Sequence, residues 1–228
     1  ATPASVSVPE ATNGISSSEA SDGVEVLVTL PSDAVAGDVI TVSIDGGTPV
    51  THTVTAAEVA AISTPITVTL PQSAISAAGE GAATITTTVT DSSGNVSPAI
   101  TTNVTIDTVA PGTASATPAS VSVPEATNGI SSSEASDGVE VLVTLPSDAV
   151  AGDVITVSID GGTPVTHTVT AAEVAAISTP ITVTLPQSAI SAAGEGAATI
   201  TTTVTDSSGN VSPAITTNVT IDTVAPGT

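Results

Sequence analysis

The chain contains no lysine and no arginine, and no phenylalanine, tryptophan, tyrosine, methionine or cysteine. Each absence closes a class of function. With no cationic side chain of that kind, nothing meets a phosphate backbone or an anionic membrane surface, so nucleic acid and charged lipid are excluded as partners. Its 22 Asp and Glu, for a formal net charge of −22, have no Lys or Arg to pair with. Every carboxylate must therefore be solvated, accept from backbone amides, or be met by a cation from outside. Absent cysteine removes disulfides and thiol nucleophiles. Absent aromatics leave Val, Ile, Leu and Ala to build the core, with Thr at its margins. No basic stretch leads into an apolar one as in a secretory leader, and no apolar run is long enough to cross a bilayer. The chain thus reads as an internal part of something longer, without membrane insertion.

What is present is repetition. Residues 1–113 recur letter for letter at 116–228, a period of 115 residues. That unit is too long for helical or leucine-rich solenoid repeats, so each copy is expected to close its own core. The 40% apolar content is too high for a disordered tail despite the charge. Two domains result, 1–113 and 116–228, with a linker over about 107–117. An enzyme rarely needs identical halves in series; a copied unit points to reach, spacing or valency.

Within one copy the dominant pattern is period-2 alternation with β-branched residues. Ala4, Val6 and Val8 share one parity. So do Val24 to Leu30, Ile40 to Ile44, Val50 to Val54, Ile66 to Leu70, Ala83 to Val89, and Ile100 to Ile106. Thr, Ser and Glu take the opposite parity. Turn chemistry separates these segments: Asp45-Gly46-Gly47 is a tight hairpin signal, and Asp91-Ser92-Ser93-Gly94-Asn95 is a turn in which Asp91 accepts local amides. Ala56–Ile62 and Ser73–Ala78 each have the composition of a helical turn. Seven half-buried strands in about 100 residues predict an all-β immunoglobulin-like Greek-key sandwich, twice over. Without Cys and Trp hallmarks, the pattern does not separate this from a fibronectin-like relative.

Alternation of loops between two poles gathers the acids. The loop 9–23, the Asp45 turn, the 71–81 loop and Asp107 fall at the C-terminal pole, which collects Glu10, Glu19, Asp22, Asp45, Glu80 and Asp107. The opposite pole of the second copy carries Asp148, Glu173 and Asp206. Equivalents are Glu134, Asp137, Asp160, Glu195 and Asp222 in copy two, and Asp91 in copy one. An acid-rich junction without Lys or Arg calls for a cation. Calcium takes six to eight oxygens in flexible geometry and fits best; zinc is disfavoured with no Cys and one His per repeat. Asp107, on the linker, would tie both domains to the hinge. The competing reading is that these acids keep an exposed surface soluble, and it is favoured for Glu25, Asp33 and Glu58. For Asp91 and Asp206, turn capping competes with ligation.

The linker Asp107-Thr108-Val109-Ala110-Pro111, the loop Asp91 to Ser97 and the stretch Asn13 to Ala20 together resemble the tandem Ig-like repeats of giant bacterial surface adhesins of the RTX and biofilm-associated types. The resemblance covers essentially all of both copies. It implies non-enzymatic extracellular extender domains at a bacterial cell surface, which bind Ca2+ near domain junctions and form a monomeric elongated rod with neighbouring identical repeats. The chain departs from the pattern at Thr12, where relatives carry an acid, so a ligand there is not carried over.

Other constellations are weak. His52 and His167 share parity with buried valines, which marks structural histidines, and no oxyanion-stabilising cation exists. There is no G-x-S-x-G, no EF-hand loop, and no aromatic platform for a sugar. The sequons at Asn95 and Asn103 are read as chance. Two alternatives remain: a receptor- or glycan-binding module acting through its loops, and an ice-binding array of Thr84, Thr86, Thr88 and Thr90 beside Thr101, Asn103 and Thr105, which strand twist disfavours.

Overall fold

All seven alternating segments are strands in the computed structural model, which describes residues 3–117 and 119–226. Pro118, just past the expected linker, lies outside the described residues. In the first copy the strands are β1 (Ser5–Ser7), β2 (Val24–Thr29), β3 (Val39–Ile44), β4 (Val50–Thr53), β5 (Ile66–Leu70), β6 (Gly81–Thr90) and β7 (Ile100–Ile106). They pair antiparallel throughout, in a three-stranded sheet ordered β1-β2-β5 and a four-stranded sheet ordered β4-β3-β6-β7. The second copy repeats this with β8 (Ser120–Ser122), β9 (Val139–Thr144), β10 (Val154–Ile159), β11 (Val165–Thr168), β12 (Ile181–Leu185), β13 (Gly196–Thr205) and β14 (Ile215–Ile221). The fold is two tandem immunoglobulin-like sandwiches. In each, the fourth strand joins the third rather than completing the sheet of the first, second and fifth.

The parity rule places the core correctly. Val24, Val26 and Val28 of β2, Ile40, Val42 and Ile44 of β3, Ile66, Val68 and Leu70 of β5, and Ala83, Ile85 and Val89 of β6 are buried together in one core. Each large aliphatic buried this way is worth about 1.5–3 kcal/mol, which is how a core without one aromatic ring holds. One position of β6 breaks the aliphatic run: Thr87 is fully buried on the inward face. The outward Thr ladder forms as expected, with Thr84 opposite Asn103 and Thr86 opposite Thr101.

Among the described residues three α-helices decorate each copy. α2 (Ala56–Ala60) and α3 (Gln72–Ala78) match the expected helical turns. α1 (Ser17–Asp22) lies inside the long first loop, after a 3-10 turn at Pro9–Thr12. Its N-terminus is a capping box: Ser16 accepts from the Glu19 amide while Glu19 accepts from Ser16. It ends at Gly23, at φ +94°, where a Cβ would stand 2.7 Å from Thr69 Cγ2 and 3.0 Å from the Leu70 carbonyl oxygen. Only glycine fits that approach. The equivalents in copy two are α4 (Ser132–Asp137), α5 (Ala171–Ala175) and α6 (Gln187–Ala193).

Contacts divide the chain into units 1–108 and 109–228. Residues 109–113, which belong by sequence to the first repeat, therefore pack with the second unit.

Candidate functional site

Most acids of the expected clusters are anchored by a hydrogen-bond partner of their own. The capping box occupies Glu19, whose Oε2 accepts from the Ser16 amide at 2.8 Å and its hydroxyl at 2.7 Å. Glu134 does the same with Ser131, and the Ser131 amide, then its hydroxyl, holds the Glu134 carboxyl below the usual range. Asp22 and Asp137 are exposed at the last turn of α1 and α4.

Asp45 lies in the left-handed region at φ +46°, followed by Gly46 at +68°, the mirror-image turn that Asp-Gly favours. The β3–β4 ladder stops at Val42–Val50, so this turn sits inside a longer connection than a two-residue hairpin. Asp45 instead extends the pairing of β3 with β6. Its amide donates to the Thr84 carbonyl at 2.9 Å, and its Oδ1 accepts from the Thr84 amide at 2.7 Å. Asp160 repeats this with Thr199 at 2.7 Å.

Glu80, after α3, clamps the start of the linker. Its Oε2 accepts from the Thr108 amide at 2.9 Å, and its Oε1 accepts from the Thr108 hydroxyl. Glu195 and Thr223 form the same pair; the Thr223 hydroxyl, then its amide, lowers the Glu195 pKa. Asp107 stands one residue upstream, its amide donating to the Ile15 carbonyl at 3.0 Å. Asp222 bonds Ile130 likewise at 2.9 Å. Ser17 and Ala20 of α1, Gln72 and Ile75 of α3, Glu80 and Thr108 line a depression of 370 Å³ at this pole. The fold thus brings α1, Glu80 and the strand leading to Asp107 together, as the alternation of loops requires.

At the other pole, Asp91 Oδ1 accepts from the Ser93 and Asn95 amides, both at 2.9 Å, and its Oδ2 from Asn95 Nδ2 at 2.8 Å. The Asn95 side chain, then its amide, lowers the Asp91 pKa. Asp206 is held the same way by Ser208 and Asn210. The expected capping role is present in both copies. Asp148 takes an amide from the linker: Gly112 N–H donates to its Oδ1 at 2.9 Å and its Oδ2 at 3.2 Å.

The capping of α2 includes the histidine. Glu58 Oε2 accepts from the Thr55 amide and hydroxyl, and its Oε1 lies 2.9 Å from His52 Nε2. His167 and Glu173 repeat the pair at 2.9 Å. Both histidines are half-buried and engaged structurally.

Sequence parity alone marks one acid that composition did not bring forward. Asp38 continues the inward parity of Ile40, Val42 and Ile44 and is 3% exposed, its Oδ2 accepting from the Val35 amide at 3.1 Å.

The donor set suits a hard cation. It is all oxygen, from carboxylates, hydroxyls and carbonyls, and no Lys or Arg competes for it. Among the described residues, however, no three carboxylates or imidazoles stand together as a metal-binding group within either unit. Among the described residues the acids stand apart, and most are tied to a backbone amide.

No protein-family model and no curated protein matches the chain. Among solved structures it is similar to a Ca2+-stabilized adhesin that helps an Antarctic bacterium bind ice, at 29% identity over 99% of this chain and 50% of that one, with a TM-score of 0.48. It thus spans half the length of that protein. An immunoglobulin-like domain of the M. primoryensis ice-binding adhesin matches at 29% identity over 46% of this chain and 97% of that domain, TM-score 0.30. The fibronectin(III)-like modules of Clostridium thermocellum CbhA match at 13% identity over 96% of this chain and 95% of theirs, TM-score 0.50, a likeness of fold alone.

Proposed function

We propose that the chain is a pair of non-enzymatic extender domains, repeats 1–113 and 116–228, from an extracellular adhesin on a bacterial surface. Calcium stiffens the joint between repeats, and the monomeric rod carries a ligand-binding region away from the cell. The observation that carries this reading is a duplicated sandwich whose poles hold carboxylates and no Lys or Arg at all. Each added copy adds reach and one more acidic joint. The proposed ligands are Asp107, Glu19, Asp22, Asp45 and Glu80 on the first repeat, with Asp148 and Asp206 on the second; Asp222, Glu134, Asp137, Asp160, Glu195 and Asp91 are their equivalents. The anchoring of Glu19, Asp45, Glu80 and Asp148 to amides supports the reading, because a carboxylate that accepts a few N–H groups keeps lone pairs for a cation. Magnesium, which dehydrates reluctantly, suits such dispersed ligands less well.

Small-angle scattering and thermal melting with calcium or chelator test the proposal. Extracellular calcium modules have dissociation constants of about 10⁻⁴–10⁻³ M. Calcium at about 100 times the dissociation constant stabilises by about 2.7 kcal/mol per site. The expected result is a raised melting temperature and a larger, better-defined maximum dimension with calcium but not magnesium. Identical scattering and melting in calcium and chelator would sink the calcium-stiffened spacer.

A further inference from the structure

The same five residues, Val-Ala-Pro-Gly-Thr, come after the last strand of each copy. In the first instance Pro111 and Gly112 are buried and Val109 is 38% exposed. In the second, Pro226 is exposed and Val224 is 68% exposed. Identical segments cannot differ through their own sequence; among the described residues only the first packs against a following copy, and the difference comes from there. Val109 onward belongs to the second unit, and Gly112 of this segment reaches one turn of that unit, Ser147-Asp148, just after β9. Gly112 N–H points between the two Asp148 oxygens at 2.9 and 3.2 Å. Five residues on, the Thr117 amide donates to Ser147 Oγ at 2.8 Å, and the Ser147 amide donates to the Thr117 carbonyl at 3.1 Å. Between these attachments the segment closes on itself. The Thr113 hydroxyl donates to the Ala110 carbonyl, the Ala116 amide to the Thr113 carbonyl, and Ala114 is held at φ +52°. A non-glycine residue in that region has to be held there by its surroundings.

We infer that the Ser147-Asp148 turn is a docking site whose ligand is the Val-Ala-Pro-Gly-Thr segment of the preceding copy, so that each repeat's tail folds as part of the next repeat. The recognition chemistry is a charge-assisted hydrogen bond from the Gly112 amide to the Asp148 carboxylate; the two-way bond between Ser147 and Thr117 lies within the second repeat and holds its first residues against the same turn. Glycine is required because Gly112 sits at φ +71°. The same Ser-Asp turn recurs in the first copy as Ser32-Asp33, so the partner class is another copy of this repeat, joined head to tail. For its purpose this rests on the spacer reading. Its chemistry does not, since the attachment needs no metal.

Amide hydrogen exchange of the 228-residue chain, monitored by NMR in excess chelator, tests it. Gly112 is expected to exchange at least tenfold slower than an unstructured glycine. Asp148→Ala should remove most of that protection, and Asp148→Asn at least half of it, while the Ile155 and Ile200 amides of the core stay protected. Asp33→Ala, the same change in the identical turn of the first copy, should leave Gly112 unaffected. Unprotected Gly112 in the parent chain, or protection that survives Asp148→Ala, would overturn the inference. Failure of the calcium reading shows itself elsewhere, as melting and scattering that do not respond to calcium.

Discussion

Replacing Thr87 by valine is expected to stabilise the first sandwich. Thr87 lies on the inward face of β6, opposite Val42 of β3 and Ile100 of β7, with none of its surface exposed. Its hydroxyl oxygen is buried and has no hydrogen-bond partner among the described residues. A buried hydroxyl left unpaired costs about 1–3 kcal/mol, and valine has the same shape without that group. The exchange should therefore add about 1–2 kcal/mol. In a domain of about 100 residues, that is a rise of about 4–8 °C for each kcal/mol. Thr202, 1% exposed and likewise without a partner, makes the same prediction for the second sandwich. The identical copies supply an internal control in urea denaturation. Thr87→Val alone should split the unfolding curve into one shifted and one unshifted step, and the double variant should shift both. A loss of stability, or no change in either step, would refute the argument by showing that the hydroxyl is satisfied in the native state.

Further outcomes are open to measurement. Ile85→Ala, at a fully buried position, should lower the stability of its sandwich by about 2–5 kcal/mol in the same titration. Gly23→Ala should cost more than about 1 kcal/mol, from both the positive φ and the clash with Thr69, while Gly37→Ala, at φ +100° with open space around it, incurs the backbone term only. Asp107→Ala should abolish the calcium-dependent change in scattering and leave the circular dichroism of both sandwiches intact. The Asp91 carboxyl is held below its ordinary pKa, first by the Asn95 side chain, so its contribution is full above about pH 4 and fades as pH falls through the lower folded value. The stability gap between Asp91→Ala and the parent should accordingly close on acidification; a gap that widens below about pH 4 has the wrong sign.

The strands were legible because the signal that defines them is local. Alternation of Val26 with Glu25, or Ile85 with Thr84, states which side chain faces in without reference to any partner. Helix α1 was legible too, in the Ser16-x-x-Glu19 spacing of a capping box, yet the loop containing it reads first as a ligand-bearing excursion because its acids attract notice. Glu19 is tied to Ser16 before any metal question arises. The inward carboxylate of Asp38 was also available, as the next residue of matching parity before Ile40.

Composition and periodicity by themselves determined that this is a doubled, all-β, aromatic-free sandwich with no internal Lys or Arg to answer its carboxylates. These properties are counts or sequence repeats, readable without a fold. Tertiary structure alone decided which sheet takes the fourth strand, and which amide each acid meets. Asp45 finds Thr84 and Asp148 finds Gly112 across separations of 39 and 36 residues, because strand register and turn geometry carry those backbones into reach. It also decided that Val109–Ala110–Pro111 and Val224–Ala225–Pro226, identical in sequence, differ in burial. Burial depends on what stands against a segment, and among the described residues only the first has a Ser-Asp turn on which to dock.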